Sequence, residues 1–280
     1  EPIRELELSN TPYDGSGARQ QELALAERVS ILRDPDAIKA EERALKRLGL
    51  LQNGDDLAQL LETLYGQALP VAYLEDEGHI SVVEPNDKLD GGERAQAARE
   101  FDRALTDQAF GLETTRVGDK SRGDQALAGY SLEQGDGTAA MLDWSGEHGN
   151  NNRTNEVIIP GDDGVYASMP LILQREYSLP FLEGRIFVDR LRDNGGWSSV
   201  DEAWGRPPES TEQILHPKLY PNERPTTVVM EGIAGQLGNG WKSAWQQTMG
   251  ELRIGVWLAN GQPGEQSGPK AAIKLPKANA

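Results

Sequence analysis

The sequence predicts an α+β domain, mostly helical, with one small β-hairpin. Three observations lead there. Six stretches carry apolar residues at helical spacing. A single pair of short runs reads as two strands around a turn. The two kinds of element are segregated along the chain rather than alternating, which argues against a doubly wound α/β sheet. With 280 residues, the chain is long enough to bury a proper core without covalent staples.

The first helix is expected over residues 18–33, where Leu23, Ala26, Val29 and Leu32 recur at three-residue steps. Asp34-Pro35-Asp36 interrupts it and offers an N-cap for a second helix over 37–49. That helix is apolar at Ile38, Ala40, Leu45 and Leu48 and stopped by Gly49. After the Asn53-Gly54-Asp55 turn, a third covers 55–67 through Leu57, Leu60, Leu61 and Leu64. The period then changes. Residues 70–74 and 79–83 flank Glu75–Gly78, which reads as a hairpin. Long helical patterns follow at 91–110 and 124–142, joined by a polar, glycine-containing connector at 114–123. Residues 145–168 hold Gly146, Gly149, Asn150 to Asn152 and a Pro160–Gly164 turn, and read as a long exposed loop. A helix at 180–194 ends at Gly195-Gly196 and a short one follows at 198–204; 226–230 and 250–258 read as strands. The organisation expected is an extended segment at 1–17, one domain at 18–260 and an extended tail at 261–280. Within the domain, N-terminal helices and hairpin take 18–90, a central helix pair 91–142 and a C-terminal helical part 165–260.

Composition narrows the function. Twenty-eight Lys and Arg face 45 Asp and Glu, a net charge of −17. Nucleic acid is thereby excluded as a partner, because its binding needs basic stripes. No run of apolar residues is long enough for a transmembrane segment. The absence of cysteine removes disulfides, thiolate metal ligands and thiol nucleophiles. The opening Glu1-Pro2-Ile3-Arg4 has no Met and no signal-like core, and reads as a mature, processed chain, which favours an extracytoplasmic location.

Several motifs then point one way. Gly184-Arg185-Ile186-Phe187-Val188 is followed by Gly195-Gly196-Trp197-Ser198-Ser199-Val200-Asp201-Glu202-Ala203-Trp204 and by Pro207-Pro208-Glu209-Ser210-Thr211-Glu212-Gln213-Ile214-Leu215-His216-Pro217. Glu41–Leu51 precedes them; Gly240-Trp241 and Thr248-Met249-Gly250-Glu251-Leu252 follow. In this order, over roughly residues 20–258, the chain resembles a family of bacterial extracytoplasmic proteins with a gluzincin-like (zinc metallopeptidase) fold. The resemblance implies a central helix bearing His-Glu-x-x-His-Ala-Leu-x-Asp-Gln and a later helix bearing Glu-Gly-Asp-Ala-Thr. The two histidines and the second helix's Glu would bind zinc, and the Glu beside the first His would activate water.

This chain departs from that pattern at each ligand. The central helix reads Arg99-Glu100-Phe101-Asp102-Arg103-Ala104-Leu105-Thr106-Asp107-Gln108, so both histidine positions are Arg. The later helix reads Gln134-Gly135-Asp136-Gly137-Thr138, so the third ligand is Gln. Glu100 alone keeps its type. A guanidinium has donors only and keeps its proton, so it cannot ligate a cation. At ~5 Å and an effective dielectric of ~20, each one opposes a dication by about 6 kcal/mol. Residues 91–142 are therefore expected to be degenerate metal-site helices, without metal or cofactor. Arg99 and Arg103 are expected to fill the former site and to pair with Glu100, or with Glu133 and Asp136 on the facing helix.

Other candidates are weaker. His79, His148 and His216 are scattered, and none has another His at ligand spacing. No Gly-x-Ser-x-Gly elbow accompanies them. The acidic turns 87–93 and 162–164 do not match a calcium loop. Trp197, Trp204, Trp241, Trp245 and Trp257 cluster in the C-terminal third and read mainly as core anchors. Asn152-Arg153-Thr154 is a sequon in the expected loop. The function expected is a pseudopeptidase acting as a binding, scaffolding or structural subunit. Its partner would be another protein or a second copy, with Lys270, Lys274 and Lys277 of the tail available for contact. The alternative is an active metallopeptidase with ligands redrawn from Asp102, Asp107 or Asp136.

Overall fold

The computed structural model describes residues 7–12, 35–66, 69–75, 77–84, 89–112, 123–148, 164–226, 228, 232–243 and 246–260. Three strands form one sheet: β1 (Glu7–Pro12), β2 (Val71–Leu74) and β3 (His79–Glu84). The sheet order is β1-β3-β2. The expected hairpin is β2–β3, antiparallel with Val71 opposite Val82 and Leu74 opposite His79. Residues 7–12 of the expected extended segment add β1 parallel to β3 on its other side. β2 is thus an edge strand, and its outer backbone groups need partners from elsewhere.

The helices are α1 (Pro35–Arg47), α2 (Leu57–Tyr65), α3 (Gly91–Phe110), α4 (Asp124–Glu147), α5 (Val165–Ser168), α6 (Leu171–Gly195), α7 (Trp197–Gly205), α8 (Thr211–Leu215), α9 (Ile233–Gln236) and α10 (Gly250–Asn260). The chain is mostly helical with a small sheet, an α+β arrangement. Local chemistry fixes the start of α3. Asp90 accepts from the amides of Gly92 and Glu93, and Glu93 reaches back to the amide of Asp90 at 2.6 Å, a capping box that satisfies otherwise orphaned donors. The spine of the fold is α4 against α6. They meet at Gly135 and Gly184: a Cβ at Gly135 would fall on the Gly184 carbonyl, and one at Gly184 on the Ser131 carbonyl. Only glycine allows backbones to approach so closely.

Two apolar clusters flank this spine. One joins Val71, Tyr73 and Ile80 of the sheet to Leu132, Phe187, Trp204, Ile214 and Leu252. The other packs Ile38, Leu45, Leu57 and Leu61 of the N-terminal helices on Tyr177 and Phe181 of α6. α3 lies between the sheet and α4, which places its buried face at the centre of the molecule.

Several sequence expectations are corrected. Residues 250–258 are not a strand but part of α10. Leu252, Ile254, Val256 and Leu258 alternate as a strand would, yet Leu252 and Val256 also stand one helical turn apart, and tertiary packing selects that pair. In 226–230 the described positions 226 and 228 are not in a strand. The expected loop at 145–168 is shorter at both ends, since α4 runs to Glu147 and α5 occupies Val165–Ser168. α6 begins at Leu171, well before 180, and carries Pro180 in its interior. The expected helix at 18–33, the sequon at Asn152, Trp245 and the tail at 261–280 lie outside the described residues.

Candidate functional site

The buried face of α3 is polar. Gln96, Arg99, Glu100 and Arg103 recur at helical spacing and turn inward beside Ala95 and Ala104. Arg99 is 1% exposed, Glu100 0% and Arg103 2%. Glu100 sits at the centre and takes five hydrogen bonds. Its Oε1 accepts from Gln96 Nε2 at 2.8 Å and from two nitrogens of Arg99 at 3.0 and 2.9 Å. Its Oε2 accepts from Arg103 at 2.8 Å and from the backbone amide of Tyr73 at 3.1 Å. That last bond satisfies an outward amide of edge strand β2. Arg103 then reaches across to α4, donating twice to Glu133 Oε1 at 3.2 and 2.9 Å. Sheet, α3 and α4 are joined through one line of charges.

The electrostatics follow from this geometry. Burial pushes the Glu100 carboxyl up, but the charges and hydrogen bonds of Arg99 and Arg103 outweigh it and hold the group below the usual carboxylate range. A carboxylate held ionised by five donors has no lone pair left to take a proton from water. The seat for the arginines comes from α4. A Cβ at Gly137 would stand 2.8 Å from Arg99 Cγ and 3.5 Å from Arg103 Cγ, so the glycine makes room for their stems. The Arg99 guanidinium also lies 5.6 Å from the Phe181 ring centre, an added cation–π contact.

The expected partners divide. Glu100 and Glu133 pair with the arginines. Asp136 does not: its Oδ2 accepts from Trp204 Nε1 at 2.7 Å. Helical phase explains the correction, because three residues on from Glu133 the side chain has turned by about 60° away from α3 and toward α7. Gln134 donates weakly to Glu133 at 3.4 Å, and its Oε1 is buried without a partner.

The carboxylates of the redrawn ligand set do not assemble. Asp107 accepts from the Tyr73 hydroxyl at 2.7 Å and the Leu112 amide at 2.9 Å, a turn beyond the cluster. Asp102 is near Asp136; burial first, then that neighbour, raises its carboxyl well above the usual range. Asp136 itself is pushed up to about 6, chiefly by burial. Among the described residues, no three His, Asp or Glu side chains converge as a metal would require. Zinc does not fit the residues at the family's ligand positions. Two are cations without lone pairs, and the oxygens of Glu100 are saturated by them.

The histidines stay apart. His216 bonds Glu251 at 2.9 Å, His79 approaches Glu77 and His148 stacks on Trp144. Trp204 is a core anchor, whereas Trp197, Trp241 and Trp257 are exposed. Trp197 shares a surface concavity at the α6–α7 corner with Asp189, Arg192 and Asp193, away from the arginine cluster.

A second buried ion cluster escaped the sequence reading. Arg253 of α10 bonds Glu41 of α1 at 2.5 Å and Glu176 of α6 at 2.6 Å, all three being 3% exposed or less. Its signal was present. Glu41 falls on the Ile38–Leu45 stripe of α1, a charge at an apolar phase. Nearby, Asp124 at the start of α4 accepts from both the amide and the hydroxyl of Thr211, at 3.1 and 2.6 Å. Thr211 in turn accepts from the Leu252 amide at 3.2 Å, so α4, α8 and α10 share one node.

Compared with family models, with characterised proteins and with solved structures, the chain matches none.

Proposed function

We propose that this chain is a non-catalytic relative of gluzincin-fold metallopeptidases, a pseudopeptidase that works outside the cytoplasm as a binding or structural subunit. The observation that carries the reading is the Arg99–Glu100–Arg103–Glu133 cluster. In the resemblance, these helices hold a dication between them; here two fixed cations and two carboxylates occupy the buried interface. Charge-assisted hydrogen bonds replace the cross-link that a metal would supply. Glu100 changes role with them, from the expected base to the acceptor that orders both arginines and caps β2. With the reactive positions committed to the interior, what remains for recognition is the surface.

The test is elemental analysis of the purified full chain after incubation with zinc, together with a chelator-controlled assay against denatured protein substrates. The expected result is less than stoichiometric zinc and no chelator-sensitive cleavage. Stoichiometric zinc with hydrolysis abolished by the chelator would overturn the proposal.

A further inference from the structure

The C-terminal part of the chain exposes two apolar surfaces. α10 is apolar nearly all round. Leu252 and Val256 face the core, while Ile254, Trp257 and Leu258 lie on the opposite side, with Trp257 43% and Leu258 60% exposed. A helix that is apolar on every side is normally covered on every side. The second surface is the arm that precedes it. From Gly232 to Ser243 every residue except Ala234 is exposed, and α9 has no buried residue. Ile233 and Leu237 stand one turn apart, and Trp241 follows at 63% exposure. Single exposed apolar residues need no account, but grouped ones mark interaction sites.

Charge indicates the occupant. Residues 216–249 carry Lys218, Arg224 and Lys242 against Glu223 and Glu231, a net of +1, which leaves −18 on the remainder of the −17 chain. The arm is the part of the molecule that an acidic body does not repel. We infer that this arm docks on the outer face of α10 in a second copy, with the exchange made reciprocally to give a two-fold dimer. Ile233, Leu237 and Trp241 of each copy would lie against Ile254, Trp257 and Leu258 of the other. A reciprocal exchange covers both surfaces at once and closes without leaving a free end. It gives the subunit reading above a partner and rests on that reading. Its warrant is exposure and charge rather than the arginine cluster, so the zinc assay and the assembly assay fail independently.

Sedimentation of the full chain tests it. The wild type should be a dimer whose affinity rises with salt, because screening weakens the repulsion between two acidic bodies while leaving apolar burial intact. Leu237→Asp/Trp241→Asp in the arm and Trp257→Asp in α10 should each weaken dimerisation at least about tenfold. The altered residues are exposed, so the melting curves of the monomers should stay close to one another. Mixing the two variants should then yield a heterodimer, since an intact arm meets an intact α10 face once. A wild type that is monomeric at every concentration, with the chain's own arm or tail covering α10, would overturn the inference. So would a mixture that fails to associate more strongly than either variant alone, which would mean like surfaces pairing with like.

Discussion

Replacing Glu100 by Gln separates a structural glutamate from a catalytic one. The carboxylate accepts five hydrogen bonds through two oxygens. A glutamine keeps one oxygen and presents an NH2 group at the other, so donors face donors. If the amide nitrogen takes the Oε2 place, the bonds from Arg103 and Tyr73 are lost. If it takes the Oε1 place, those from Gln96 and Arg99 are lost. Either way two buried arginines remain with Glu133 as the one carboxylate still paired in the cluster. Breaking a buried pair by removing one partner costs about 3–5 kcal/mol. For a domain of this size that corresponds to a fall in melting temperature of roughly 6–20 °C. The assay is a thermal melt by circular dichroism with a urea titration beside it. A catalytic base in an open cleft can be changed to Gln with little effect on folding. A Glu100→Gln protein that melts within about 2 °C of the wild type would therefore refute the reasoning, on the same size scaling.

Further outcomes follow from other sites. Gly184→Ala should force α4 and α6 apart, because its Cβ meets the Ser131 carbonyl rather than a movable side chain; a loss of about 1–3 kcal/mol in urea unfolding is expected, net of the helix-propensity gain. For Asp136, burial raises the native value to about 6 from a reference of 3.8. The native state therefore holds the proton more tightly, and stability falls as pH rises through about 4 to 6, by about 3 kcal/mol in all. Asp136→Asn keeps an acceptor for Trp204 and should be the more stable protein at pH about 7, with the gap closing toward pH about 4; parallel urea curves at the two pH values check it. Raising NaCl from low to molar concentration should stabilise the fold, since a net charge of −17 repels itself while the buried clusters are poorly screened. A melting temperature that falls with salt would assign more weight to the surface ion pairs than this account does.

Much of this was legible in the sequence, and the failures have physical causes. α3 was bounded correctly at Gly91–Phe110 because Asp90 and Glu93 form a cap and Gly111 ends the pattern. The hairpin was legible because its period of two is bracketed by turn residues. α10 was misread because a short apolar run fits either period, and only its contacts with α1, α6 and α8 decide between them. The polar face of α3 was legible as a cluster, since substitutions at helical spacing drew attention to Arg99 and Arg103. Which carboxylates they meet depended on the rotation of α4, which sent Glu133 inward and Asp136 to Trp204. The seat at Gly137 was invisible, because a missing side chain leaves no mark in a pattern of residue types.

The bridge from Arg253 to Glu41 spans 212 residues of sequence, and its cation arrives on the last described helix. During synthesis, Glu41 and Glu176 emerge long before the residue that neutralises them. A nascent chain can form α1 and α6 early but cannot close the space between them, since two like charges would then share a dry interior. Completion of this fold is therefore tied to release of its final segment. Shortened forms that end before Arg253 should stay open, and so be marked for proteolysis rather than accumulate as partly working molecules.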